Sequence, residues 1–327
     1  MRIAVASFVV AIAAFLVAAA PPKSSTPPKP SSSASSSSAA PAEPVQRADE
    51  KHLKNLTQLT FGGENAEAYF DTSGKELAFQ SRTGTGDGPG QHCDAIFRMD
   101  IDGKHRRPIS PDAAHGGGRT TCSFIRPDGK MIFSSTHGHG AGCLQDADMS
   151  KGYVWRVYPQ MDIYLADADG KNAKVLFQSA GYDAETTVCH KDGRMVFTSS
   201  KDGDLDIYAM NADGSHVKRL TNTPGYDGGA FWSEDCTKIV WRASRPQGKE
   251  LDDFRALLKQ ELVRPTQLEI FVADISPTNE LSHIEQVTKL GKASFAPYMQ
   301  PDDKHVVFAS NVDDPKAKPR LLFDMSS

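Results

Sequence analysis

Short runs of alternating apolar and polar residues, each entered through a polar turn and ended by an aromatic, recur along this chain. Residues 71–79, 127–133, 191–197, 234–241 and 301–308 share the form, ending on Phe79, Phe133, Phe197, Trp241 and Phe308. A second phrase follows. Ile207-Tyr208-Ala209-Met210 is apolar and β-prone, Ala212-Asp213-Gly214 supplies a tight turn, and residues 217–220 resume the alternation, which predicts a hairpin. Residues 162–170 nearly copy this phrase, residues 96–103 are a looser version, and residues 269–275 lack its glycine. The turn glycines Gly103, Gly170 and Gly214 are 67 and 44 residues apart. The shorter spacing fits a four-stranded blade of ~40–45 residues, and the longer one a blade with a loop insertion. The predicted fold is all-β, a propeller of four-stranded antiparallel blades.

The blades are expected at about 63–110, 116–179, 181–222 and 225–290, with a partial fifth over 293–299 and 305–308. Residues 53–61 read as an outer strand with no inner strands before it. Propellers close in this way, the N-terminal strand completing the last blade and removing a sheet edge. Two outcomes follow: a five-bladed ring with residues 321–325 as third strand and 56–61 as fourth, or an open flank. Insertions at 83–92, 137–159 and 244–267 all fall between second and third strands. Strand alternation puts them on the face of the inter-blade links, at one mouth of the channel. Within the last, residues 250–263 have a helical pattern with Leu251, Phe254, Leu258 and Leu262 on one face.

Other stretches set the context. Residues 1–20 have the positive start, apolar run and small-residue end of an export signal. The run is short for a membrane span, so stable insertion is expected only if the signal is retained. Residues 21–48 are rich in Pro, Ser and Ala and read as a disordered linker, leaving 49–327 as the propeller. The expected location is the periplasm or the exterior. A net charge of −4 gives no basic face for nucleic acid. Five cysteines, Cys93, Cys122, Cys143, Cys189 and Cys236, suggest one or two disulfides and a leftover thiol; spacing does not determine the pairing.

Candidate chemistry gathers at the blade entries. Residues 63–67, 181–185 and 225–229 are related segments that place Glu67, Asp183, Glu185 and Asp227 near the mouth. In blade 2 the matching segment, 118–122, puts Arg119 where a carboxylate stands elsewhere. Carboxylates with one Arg can grip a cationic or peptide group, or hold Ca²⁺, and they can equally cap turns. His137 and His139, with Cys143, His92-Cys93 and His115 on nearby loops, offer ligands for a transition metal; a disulfide staple is the simpler use of the cysteines. No cofactor is expected. No Gly-x-Ser-x-Gly occurs and no catalytic residue is assigned.

The phrases Pro-Asp-Gly-Lys, Asp-Ile-Tyr followed by Ala-Asp-Gly, and Arg-Leu-Thr, over about residues 53–310, resemble the TolB-type propeller repeat. The resemblance implies a six-bladed, often periplasmic propeller that binds proteins rather than catalysing reactions. The Ser/Pro linker stands where TolB carries an N-terminal α/β domain. Similar repeats occur in oligogalacturonate lyases and precede the hydrolase domain of prolyl-oligopeptidase-like peptidases. The expected function is a non-catalytic, cell-envelope-associated scaffold for a protein or peptide. The alternative is a metal-dependent lyase or hydrolase-like propeller using His137, His139 and the carboxylates.

Overall fold

The aromatic-ended runs and the Asp-Ile-Tyr phrases pair as antiparallel strands. A computed structural model of the chain describes residues 54–82, 93–110, 118–140, 142–313 and 324–326. The expected signal, the linker and the insertion at 83–92 lie outside the described residues. The chain divides into Met1–Thr57 and Gln58–Ser327, and every described strand belongs to the second unit.

Four blades are complete. Blade 1 comprises Glu64–Phe70, Glu76–Arg82, Ala95–Asp100 and Arg107–Pro108. Blade 2 comprises Thr120–Ile125, Lys130–Ser135, Asp162–Asp167 and Lys174–Phe177; blade 3 comprises Asp183–Val188, Met195–Ser199, Asp206–Met210 and Lys218–Arg219. Blade 4 comprises Asp227–Trp232, Lys238–Ala243, Glu269–Ile275 and Leu281–Gln286. Blade 5 has three described strands, Ser294–Met299, Val306–Ser310 and Asp324–Ser326.

The core is a series of layers between blades. Phe79, Phe133, Phe197 and Trp241, the ends of the recurrent runs, are each at most 2% exposed. Burying a side chain of this size contributes about 2–3 kcal/mol, which explains why the phrase must recur in each blade. Trp232, Ile239 and Trp241 of blade 4 pack with Val196 and Ile207 of blade 3, and the same kind of cluster joins blades 1 and 2 and blades 2 and 3. The Asp-Gly turns fit against the preceding blade. Gly214 has φ 84°, and a Cβ there would lie 2.8 Å from the Leu176 carbonyl oxygen of blade 2.

Every first strand carries the same break in register. It falls between Ala66 and Tyr69, Thr121 and Phe124, Ala184 and Thr187, Gly228 and Phe231, and Phe295 and Tyr298. One residue inside each bulge is left-handed: Glu67 (φ 51°), Cys122 (51°), Glu185 (58°), Gly229 (59°) and Ala296 (46°). Bulges re-aim side chains.

The insertions of blades 2 and 4 meet each other. Trp155–Arg156 pairs with Leu262–Val263 as a small antiparallel bridge. The helix is shorter than expected, Lys249–Leu258 rather than 250–263. Glu261 turns left-handed at φ 60°, and its carbonyl accepts from the Val157 amide at 2.9 Å, which ends the helix and makes Leu262 a strand residue. Phe254 and Leu258 do share a face and pack on a cluster with Tyr226 and Phe295.

The disulfides are Cys93–Cys143 and Cys189–Cys236, joining blades 1 to 2 and 3 to 4; Cys122 is a free thiol. Cys189 and Cys236 thus staple blade 3 to blade 4.

The flank beside blade 1 differs from the closed ring considered above. Residues 54–61 form no strand, and Gln58–Ser327 contains no pairing of 58–61 with Asp324–Ser326 among the described residues. Phe70 is 64% exposed, whereas its counterparts Ile125, Val188, Trp232 and Met299 are buried by the blade before them.

Candidate functional site

The register of the first strands sorts the entry residues into three rows. Glu64, Arg119, Tyr182 and Tyr226 form the row nearest the links, Asn65, Thr120, Asp183 and Asp227 the next, and the bulge residues the third. Arg119 is therefore the counterpart of Glu64, while Cys122 stands in the row of Glu67 and Glu185.

The middle row points into the blades, so two expected mouth residues are structural. Asp183 is 0% exposed and accepts from the Ser199 hydroxyl at 2.5 Å; burial pushes its carboxyl up to about 6. Asp227, also 0% exposed, accepts from Trp241 Nε1 at 2.7 Å and from both Arg245 Nη atoms at 2.8 and 2.9 Å. Burial outweighs the Arg245 contact and pushes this carboxyl up to about 7.

The outer and bulge rows line a cavity of about 700 Å³ beneath the bridge of the two insertions. Apart from Glu67, the acidic groups that line it are paired with arginines. Arg82 bonds Glu64 at 2.5 Å and Asp146 at 2.8 Å, and Arg119 bonds Asp146 at 2.6 Å and also Asp94. Burial raises the Asp146 carboxyl, but Arg119 and Arg82 outweigh it and hold it below the usual range. Deeper in, Glu185 accepts from Thr198 Oγ1 at 2.7 Å, the Gly229 amide at 3.0 Å, the Tyr226 hydroxyl at 3.1 Å, and Arg242. The Arg242 guanidinium lies 5.4 Å from the Trp155 ring and 5.6 Å from that of Tyr226. Burial alone lowers its affinity for a proton, but Glu185, Tyr226 and Glu67 reverse this and hold it charged. Tyr153, Trp155, Tyr158, Tyr182 and Tyr226 supply the aromatic wall.

Glu67 accepts from the Tyr69 hydroxyl and makes no ion pair among the described residues. Cys122 sits beside it, and burial, reinforced by Glu67 and Glu185, pushes its thiol well up, so it is a poor nucleophile.

His137 and His139 stand elsewhere. His139 Nε2 lies 2.8 Å from an Asp162 carboxylate oxygen, and the His137 ring packs 4.1 Å from that of Tyr164; neither lines the cavity. Among the described residues no group of three or more His, Cys, Asp or Glu side chains converges as metal ligands do. His92 and His115 lie outside the described residues.

Of the residues that line this cavity, the sequence pointed to Glu67, Glu185 and Arg119 but not to Arg242 or Trp155. Arg242 had a signal. It follows the strand-ending aromatic where the other blades have Gln80, Ser134, Thr198 and Ala309. Trp155 had none, because only pairing of the two insertions brings it over the channel.

No family model matches the sequence, and comparison with curated proteins gives no match. Solved structures do. TolB from Acinetobacter baumannii is 21% identical with a TM-score of 0.49, over 76% of this chain and 49% of that one. Hydrazine synthase from Kuenenia stuttgartiensis is 16% identical with a TM-score of 0.51, over 80% of this chain and 36% of that one. An oligogalacturonate lyase in complex with manganese is 15% identical with a TM-score of 0.46, over 76% of this chain and 64% of that one. This chain thus spans about half the length of the TolB chain it matches. At these identities the likeness is one of fold. The chain is a β-propeller of four-stranded antiparallel blades, and TolB-type propellers are among the solved structures that resemble it.

Proposed function

We propose that this chain is an exported, non-catalytic propeller that binds a protein or peptide in the mouth cavity. The observation that carries the reading is the bridge of Trp155–Arg156 with Leu262–Val263. It holds two long insertions over one mouth and leaves an aromatic and charged cavity of about 700 Å³ beneath them. Pockets of this size with aromatic walls and a few placed polar groups suit a peptide segment. Two disulfides support a compartment that permits oxidation, in keeping with the N-terminal apolar run. Among the described residues no helix is long and apolar enough to cross a membrane. Glu67, Glu185 and Arg119 are the binding residues in this reading, joined by Trp155 and Arg242. The buried Asp183 and Asp227 hold the scaffold instead.

Panning a random peptide display library over the immobilised full-length chain tests the reading. A defined set of sequences should enrich and lose at least tenfold in affinity on Trp155→Ala, whose folding is checked by circular dichroism. Enrichment indifferent to that substitution, or turnover of a labelled substrate panel that the substitution abolishes, would overturn it.

A further inference from the structure

We propose that the flank of blade 1, between residues 58–61 and the strand Glu64–Phe70, is a docking site for one β-strand of a partner protein. That strand carries the phrase apolar residue, acid, isoleucine, aromatic. The site is apart from the mouth cavity and does not rest on the reading of that cavity.

The junctions between blades define the occupant. Third strands are entered through Met161-Asp162-Ile163-Tyr164, Leu205-Asp206-Ile207-Tyr208 and Leu268-Glu269-Ile270-Phe271, and in blade 1 through the looser Asp94-Ala95-Ile96-Phe97. The carbonyl of the first residue accepts an amide from the next blade: Thr120 to Asp94 at 2.8 Å, Asp183 to Met161 at 2.9 Å, Asp227 to Leu205 at 2.8 Å and Ser294 to Leu268 at 3.0 Å. The isoleucine is 0% exposed in all four and shares an apolar cluster with the last residue of the next blade's first strand, Ile125, Val188, Trp232 or Met299. Its backbone also meets its own outer strand. Ile96, Ile207 and Ile270 each accept at 2.8 Å from the amides of Ile109, Leu220 and Val287, and each donates to the next residue's hydroxyl, that of Ser110, Thr221 or Thr288. Thr221 and Thr288 in turn donate to the acids of the phrase, Asp206 at 3.1 Å and Glu269 at 2.5 Å.

The flank of blade 1 holds every group that receives this phrase, with no such strand beside it among the described residues. Asn65 stands opposite Ser81 as Asp183 stands opposite Ser199 and Asp227 opposite Ala243, so its amide points away from the second strand. Phe70 is the counterpart of Val188 and Trp232 and is 64% exposed. Glu64–Phe70 is exposed at every position except Tyr69, whereas Asp227–Trp232 is buried throughout. Leu59 and Thr60 are the counterparts of Ile109 and Ser110. The Leu59 carbonyl lies against Gly103 as that of Ile109 lies against Gly170, and Leu59 packs on the cluster of Leu77, Phe79 and Met99. The Phe70 side chain, the Leu59 amide and the Thr60 hydroxyl thus converge on one isoleucine, and the Asn65 amide on the carbonyl two residues before it. Main-chain bonds give a docked strand its affinity and side-chain contacts its specificity. Here Phe70 selects the isoleucine, and the Thr60 hydroxyl selects the acid beside it. A second copy of this chain does not supply the strand, because its own isoleucines of this phrase are buried within blades.

The test uses the full-length chain and a backbone-cyclised hairpin that carries Leu-Asp-Ile-Tyr on one strand, cyclisation holding it extended. At ~1 mM hairpin, exchange of the Leu59 and Asn65 amides should slow about tenfold or more, while that of residues 207–210 stays as it was. A hairpin with asparagine in place of the isoleucine should bind about tenfold or more weaker by calorimetry, and so should the chain with Phe70→Asp, a change at an exposed position. Thr60→Val should weaken the hairpin several-fold. Trp155→Ala should bind it as the wild type does, which separates this site from the mouth cavity. Exchange at Leu59 and Asn65 unchanged by the hairpin, or slowed equally by the asparagine version, would overturn the proposal. Loss of binding on Trp155→Ala would assign the hairpin to the mouth and overturn it too. Protection of residues 58–61 in the chain alone would show a flank already filled, by ring closure if the chain runs as a monomer on size exclusion and by a second copy if it runs as a dimer; either result overturns the partner strand and leaves the mouth reading standing.

Discussion

Asp183 and Asp227 occupy the same position in successive blades and are held by different partners. In blade 3 the cross-strand residue is Ser199, which donates to Asp183. In blade 4 it is Ala243, and Trp241 with Arg245 takes over. Among the described residues Asp183 has no basic partner, so its ionisation opposes folding. Its carboxyl is raised from 3.8 to about 6 in the fold. The folded state therefore keeps a proton that the unfolded chain loses; the contribution is full below 3.8 and is lost as pH rises to about 6. Asp183→Asn should accordingly gain on the wild type by roughly 2–3 kcal/mol between pH 4 and pH 7, read from urea denaturation at each pH. A pH-independent difference would mean that Asp183 ionises freely in the fold. At this scale Glu67 and Glu185 were legible because the blade entries repeat. The distinction between their row and that of Asp183 was not, because it depends on a one-residue bulge that alternation in the sequence does not reveal.

Elements in this chain act by tying blades together. Cys189 directly follows the first strand of blade 3 and Cys236 lies in the turn before the second strand of blade 4, 47 residues later. Opening a loop of that length in the unfolded chain is worth about 4 kcal/mol in the chain-entropy model. The double substitution Cys189→Ala/Cys236→Ala should lower the thermal midpoint clearly and should make the protein indifferent to reductant at this site. A midpoint unchanged from the wild type under oxidising conditions would show that the bridge carries no stability. Guanidinium groups add a second set of ties. Arg98 donates to the Ala168 carbonyl at 3.1 Å, Arg126 to Ala212 at 2.7 Å and Arg194 to Ser276 at 2.7 Å, each reaching the hairpin turn of the next blade. The helix shows the opposite lesson. Its periodicity was visible, but its end was decided by Val157, which comes from the other insertion.

For the whole molecule, the N-terminal segment is the informative part. A Cβ on Gly103 would lie 3.2 Å from the Leu59 carbonyl oxygen, the relation Gly214 has to Leu176 two blade junctions later. Residues 58–60 thus lie along blade 1 where the outer strand of a preceding blade would run. Thr221 and Thr288, at the ends of outer strands, accept from the third-strand amides of Ile207 and Ile270 at 2.9 and 2.8 Å. Thr60 has the same place in its phrase and no such strand beside it among the described residues. Amides of 58–61 should therefore exchange in minutes, while those of 207–210, paired on both sides, stay protected far longer. Strong protection of 58–61 together with 324–326 would instead mean that the two segments pair and the ring closes in solution.

The sequence by itself determined the blades. Alternation, aromatic strand ends and Asp-Gly turns are local devices, and a unit that repeats them leaves little freedom in how its strands pair. It also located the mouth, since insertion lengths and strand direction follow from the same repeat. Tertiary structure alone decided which carboxylates face the cavity and which cysteines join. It also decided that Trp155 and Arg242 meet over the channel. Those outcomes depend on residues far apart in the chain and on the desolvation of each group, and neither is encoded in a repeat of local pattern.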